Sequence, residues 1–151
     1  MEFIIRTGTD NDLPAVLKLI QGLAEFEKQP DAVTNTVKQM RKDREHFDFF
    51  VAEIDGEIAG MSIYYYTYST WVGKSLHLED LYVLPDYRNR GIGAALLRKT
   101  VAVAQDTGCN RMRWQVLDWN TEAQRLYRRL GADISTEWYN CDLNREGIEG
   151  F

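Results

Sequence analysis

The segment Asp80-Leu81-Tyr82-Val83-Leu84-Pro85-Asp86-Tyr87-Arg88-Asn89-Arg90-Gly91-Ile92-Gly93 holds the residue types and spacing best suited to chemistry. A strand-like run passes through a glycine-containing loop into a long helical pattern. The first amides of a helix have no partners within it and carry the positive end of its dipole. Gly91 and Gly93 let a ligand reach the main chain with no Cβ in the way, and Arg88 and Arg90 add charge beside those amides. Such a turn can hold a pyrophosphate. A strand-to-helix turn that needs two glycines only for packing explains the same residues. Two other phosphate-binding patterns fail on spacing. The P-loop needs Gly-Lys-Ser/Thr at the helix start, whereas Ala94 and Ala95 follow Gly93. The dinucleotide fingerprint needs a third Gly or Ala where Leu96 stands, and an acid ending the next strand.

Just upstream, Glu79 lies within a strand pattern. Regular alternation places His77, Glu79 and Leu81 on one face and Leu78, Asp80 and Tyr82 on the other. A carboxylate in a central strand needs a partner or a function. Glu79 is expected to bind a cationic substrate and pass its proton out through water; a salt bridge at a strand edge is the plain alternative. Asp80 is a second acid candidate, and His77 reads as structural.

These residues need elements to position them. Phe3 to Arg6 reads as a strand. Thr9 and Asp12 are spaced as a capping box ahead of a helix carrying Leu13, Val16, Leu17, Ile20, Leu23 and Ala24 on one stripe, with Pro14 in its first turn. A weaker helix spans Thr34 to Lys42. Strands follow at Phe49–Ile54 and Ile58–Tyr66, joined by the hairpin signal Asp55-Gly56. Leu76 to Leu84 is a fourth strand. A helix over Gly91 to Thr107 stops at Gly108. Arg111–Leu117 is a fifth strand, Thr121–Leu130 a helix, and Trp138–Asp142 a last strand. The strand–helix–strand crossover makes the fourth and fifth strands parallel. The result is a mixed α/β sheet with helices on both faces.

The chain has 151 residues, enough for one domain spanning 1–151. No repeat and no Pro/Gly/Ser-rich linker divides it. Its net charge of -5 disfavours nucleic acid and anionic membrane surfaces, and suits a cationic substrate better than a phosphorylated one. An anionic cofactor must then be held by local geometry. Cys109 and Cys141 sit in no Cys-x-x-Cys or Cys/His cluster and read as reduced thiols. No metal site is expected. The apolar run at the N-terminus is too brief for a signal peptide and no stretch reaches membrane-spanning length, so the expected location is the cytoplasm.

Arg88-x-x-Gly91-x-Gly93 resembles the acetyl-CoA pyrophosphate motif of the GNAT superfamily of N-acetyltransferases. The likeness extends to Leu78-Glu79-Asp80-Leu81-Tyr82-Val83, and to Asp118-Trp119-Asn120 followed by Tyr127-Arg128-Arg129-Leu130-Gly131-Ala132. Leu23-Ala24-Glu25-Phe26-Glu27 and Tyr64-Tyr65-Tyr66-Thr67-Tyr68-Ser69-Thr70-Trp71-Val72-Gly73-Lys74 look like the spermidine/spermine and thialysine acetyltransferase branch. The resemblance implies the GNAT fold, a mixed, mostly antiparallel twisted sheet whose fourth and fifth strands splay apart. It implies acetyl-CoA as cosubstrate, bound by Leu81, Tyr82 and Val83, by the loop Arg88, Asn89, Arg90, Gly91, Ile92, Gly93 and Ala94, and by Asn120, Ala123 and Tyr127. It also implies a homodimer.

The implied chemistry is attack of an amine on a thioester. Tyr127 takes the role of acid toward the leaving thiolate, since a phenol with a pKa near ~10 matches its basicity. By spacing alone a tyrosine packed on an amphipathic helix is the plainer reading, and the resemblance reverses it. Glu79 takes the second catalytic role. Asn120 orients the cofactor, or simply caps the helix beginning at Thr121. Phe26, Glu27, Glu79 and Trp71 are the expected substrate contacts, with Trp71 offering a cation–π face; core filling is the plain reading of the aromatics. The function expected is acetyl transfer to a polyamine, diamine or lysine-like amine. Acetylation of a protein or peptide, and a CoA-binding module without turnover, are the two alternatives.

Overall fold

The computed structural model describes residues 2–151. The chain divides into two compact units, one ending at Gln115 and the other spanning Val116–Phe151.

The first unit is built on one sheet. Strands β1 (Ile4–Thr7), β2 (Asp48–Ile54), β3 (Glu57–Ser69), β4 (Gly73–Val83) and β5 (Arg111–Arg113) lie side by side in chain order. All neighbours are antiparallel except β4 and β5, which are parallel. Asp55 and Gly56 turn β2 into β3 with φ of 49° and 81°, the geometry that a tight hairpin requires.

Helix α1 (Leu13–Phe26) follows a 3-10 turn over Asp10–Asp12. The Thr9 N–H donates to Asp12 Oδ2 at 2.8 Å, so Asp12 begins the helix as expected, with Pro14 in its first turn. Arg6 also grips both oxygens of Asp12 at 2.8 Å, which holds that carboxyl down at about 2. Helix α2 (Val37–Lys42) is shorter than the Thr34–Lys42 pattern, because the Thr36 side chain caps it by accepting from the Gln39 N–H at 3.1 Å.

One face of the sheet packs on α1 and α2 through Leu13, Val16, Leu19, Met40, Phe49, Val51, Met61, Ile63 and Tyr82. The other packs on α3 (Ile92–Asp106) through Phe50, Ala52, Tyr64, Leu76, Ile92 and Leu96. There the Thr100 hydroxyl stands 2.9 Å from both Ser62 Oγ and the Leu96 carbonyl, so neither buried hydroxyl is orphaned.

The second unit holds α4 (Thr121–Arg129) and α5 (Arg145–Glu149). Two expectations change. The fifth strand ends at Arg113 instead of Leu117. Trp138–Asp142 is not described as a strand; Trp138 is 77% and Tyr139 94% exposed. Helix α5 was not foreseen; Asn144 caps it by accepting from the Gly147 N–H at 2.9 Å.

Candidate active site

The loop between β4 and α3 is where the sequence places the anion cradle. A 3-10 turn over Pro85–Tyr87 leads into it, and Gly91 stands at the helix N-cap with φ of 81°. Asn89 is also left-handed, with φ of 63°. The side chain of Ile92 is buried in the core below, which anchors the first turn, and the N–H groups of Ile92, Gly93 and Ala94 are the free-ended donors of that turn. A Cβ added at Gly91 meets nothing within 4 Å, and one at Gly93 meets only Val83 Cγ2 at 3.8 Å. Protein packing therefore does not demand glycine at 93. The space that a side chain would fill is open to a ligand, and the residues fit a pyrophosphate.

The two arginines also contact protein groups. Arg88 Nε donates to the Val83 carbonyl at 2.9 Å, and its guanidinium lies over the rings of Phe26 and Tyr82. Arg90 Nη2 donates to the Asp86 carbonyl at 3.2 Å and lies over Tyr87.

Beside the cradle the sheet opens. Pairing of β4 with β5 ends at His77 and Arg113, whereas β4 continues to Val83. The Leu84 N–H donates to the Ala59 carbonyl at 2.8 Å. Antiparallel pairs alternate, so Tyr82 turns its polar main-chain groups into β3, and Leu81 and Val83 turn theirs toward the open edge. The bond from Arg88 to the Val83 carbonyl agrees with that orientation. Of the three residues expected to present free amides, Leu81 and Val83 do so. Tyr82 instead presses its ring on α1, where a Cβ at Gly22 would stand 3.0 Å from its hydroxyl.

An irregularity in β4 rearranges the acids. Leu78 pairs with Tyr64 and Asp80 with Ile63, which leaves Glu79 as the extra residue of a β-bulge. The expected alternation fails there. Leu81 packs on the α3 side, while Glu79 lies against Tyr65 and His77 on the α1 side, together with Asp80. Tyr65 donates its hydroxyl to Glu79 Oε2 at 2.9 Å, and His77 Nε2 lies 3.3 Å from the same oxygen. Burial, and then the charges of Glu79 and Glu27, push the Asp80 carboxyl up to about 7. Burial also raises Glu27, which follows the end of α1. Glu27, Glu79 and Asp80 are thus brought together. Asp80 was the lesser candidate in the sequence, and the signal that it matters is the bulge, which no sequence pattern marks.

Trp71 is not brought to these acids: it sits in the β3–β4 turn, 84% exposed, and Gly73 to Glu79 alone spans about 20 Å of strand. Phe26 stands beside Glu27 under the Arg88 guanidinium.

In the second unit, Asn120 Oδ1 accepts from the Ala123 N–H at 3.3 Å, so Asn120 is the helix cap. Gln124 Nε2 donates to the carbonyls of Leu117 and Asp118 at 2.9 and 3.0 Å. Tyr127 is half-buried on α4. Among the described residues no helix is long and apolar enough to cross a membrane, and no group of His, Cys, Asp and Glu could hold a metal ion.

A helix N-terminus open to an anion, beside a sheet edge with outward-turned main-chain groups, can hold a pyrophosphate-bearing ligand. The acetyltransferase (GNAT) family profile matches residues 13–132, and the chain belongs to that family, whose cosubstrate is acetyl-CoA. It is 45% identical to a thialysine N-epsilon-acetyltransferase of Caenorhabditis elegans, over 99% of this chain and 96% of that one. It is 41% identical to the protein of that name in Bos taurus, over 91% and 88%. It is 35% identical to the spermidine/spermine N(1)-acetyltransferase-like protein 1 of Homo sapiens, over 97% of this chain and 23% of that one. In fold it matches an aminoglycoside acetyltransferase from a soil metagenomic sample with a TM-score of 0.80 at 20% identity, over 94% and 97%. The chain is an acetyl-CoA-dependent N-acetyltransferase.

Proposed function

We propose that the acceptor is the primary amine of a small cation: a thialysine- or lysine-like amino acid, or a polyamine or diamine. The observation that carries this reading is the convergence of Glu27, Glu79 and Asp80 on one face beside the open edge of β4. Their mutual repulsion is relieved by a bound cation and worsened by an anion. The names of the curated relatives support the same class.

The reaction is direct attack within a ternary complex. The main-chain donors of Ile92, Gly93 and Ala94, with the loop Arg88–Gly91, hold the pyrophosphate. The N–H groups of Leu81 and Val83 receive the pantetheine and the acetyl oxygen. Asp80, with a proton affinity near neutrality, takes the amine proton, and Glu79 binds the cation and relays the proton to water. The amine nitrogen forms the new bond to the acetyl carbon as the carbon–sulfur bond breaks. The Tyr127 phenol gives its proton to the departing sulfur and recovers one from solvent. Asn120 and Ala123 shape the start of the helix that carries Tyr127. Phe26, next to Glu27, offers a ring face to the acceptor.

Both units form one acetyltransferase domain in this reading, supported by a family match that runs across Gln115. We place the enzyme in the cytoplasm as a homodimer, without nucleic-acid or membrane partners, in keeping with its charge of -5. Light scattering that gives a monomer mass removes the dimer. The acceptor is tested by incubating the protein with labelled acetyl-CoA and a panel of amines. Turnover of thialysine or a polyamine supports the reading. Transfer to peptides alone, or CoA binding with no transfer, overturns it.

A further inference from the structure

We propose that the Arg88 side chain is a positioning residue, clamping the pyrophosphate loop to α1 instead of touching the phosphates. The inference rests on the acetyl-CoA reading of that loop. The Arg88 guanidinium carbon lies 5.4 Å from the Phe26 ring centre and 5.3 Å from that of Tyr82, while Nε donates to the Val83 carbonyl at 2.9 Å. A planar guanidinium can stack on ring faces and hydrogen-bond in its own plane at once, which an ammonium cannot. The side chain, although exposed, is therefore committed to these protein partners.

Three elements meet at this point. Phe26 is the last residue of α1, Tyr82 and Val83 end β4, and Arg88 opens the loop. The path from Arg88 to α3 passes through two left-handed residues, Asn89 and Gly91. No helix or strand fixes that path, so the direction of the α3 amides depends on how Arg88 is held. At the far end of the clamp, Phe26 precedes Glu27, whose charge acts on Asp80. One side chain thus sets both the anion cradle and one wall of the amine site.

A double-mutant cycle on CoA affinity tests this, measured by calorimetry on the full chain with melting temperatures recorded for each variant. Arg88→Lys and Phe26→Leu are each expected to weaken CoA about fivefold, the size of a lost cation–π contact. The double variant is expected to lose no more than either single one, since both break the same clamp. Phe26→Tyr keeps a ring face and is expected to restore wild-type affinity, which a merely loosened fold would not permit. Undiminished affinity in Phe26→Leu, losses that multiply to about 25-fold in the double variant, or no rescue by Phe26→Tyr overturns the clamp. Failure of the wild-type chain to bind CoA overturns the acetyl-CoA reading itself.

Discussion

Glu79 fills the extra position of the β4 bulge, and the bulge turns its carboxylate to the face of the sheet that carries Asp80. Two adjacent acids thereby share one site. The exposed one is held by Tyr65 and His77, and the half-buried one has its carboxyl pushed up to about 7.

Asp80 is expected to set the acid limb of the pH profile. kcat/KM for the amine rises as the pH passes through about 7, and Asp80→Asn lowers it about 100-fold without that limb. Stability has the opposite sign. The folded chain binds this proton more tightly than the unfolded chain, so stability falls as the pH rises from the ordinary carboxylate range to about 7. Asp80→Asn is therefore expected to melt a few degrees above wild type at pH 8, with the gap closing near pH 4. Equal melting at pH 8 contradicts the assignment.

Glu79→Gln removes a like charge from beside Asp80. The acid limb is expected to move to lower pH, and the KM for the amine to rise roughly two- to fivefold, the worth of one exposed ion pair. A pH–rate profile with saturating acetyl-CoA measures both. An unmoved limb separates the two acids.

Tyr127→Phe is expected to lower turnover by about 100-fold while CoA affinity changes by less than about twofold. Single-turnover rates beside calorimetric affinities make the comparison. Equal turnover in both proteins removes Tyr127 from the mechanism.

Gly93→Val is expected to weaken CoA at least about tenfold with the melting temperature nearly unchanged, because only Val83 Cγ2, at 3.8 Å, faces the new side chain. Unaltered affinity places the phosphates elsewhere.

Much of this architecture was legible because local chemistry dictates it. Asp55-Gly56 can scarcely do anything but reverse the chain, and Thr9 with Asp12 opens α1 as a capping box does. Gly91 and Gly93 marked the cradle through their missing side chains. The bulge was not legible, since the choice of which residue to expel depends on packing on both faces of the sheet. Reading Glu79 and Asp80 by strict alternation therefore put them on opposite sides. The ring partners of Arg88, Phe26 and Tyr82, were not legible, because neither is adjacent to it in the sequence. Trp138–Asp142 had the alternation of a strand, but its exposed rings at Trp138 and Tyr139 are not those of a strand buried on one face.

The strands lie in the sheet in the order in which they occur in the chain. Three of them, β2, β3 and β4, can assemble by successive local hairpins, whereas β1 joins only across α1 and α2, and β5 only after α3 has crossed over, and then through three residue pairs. Contacts close in sequence form fastest. The edge of the sheet that carries β5 is thus assembled after its centre, and pulse-labelled amides of Arg111–Arg113 are expected to gain protection after those of the β2–β3–β4 meander. Lesions there would silence the enzyme while leaving most of its framework able to fold.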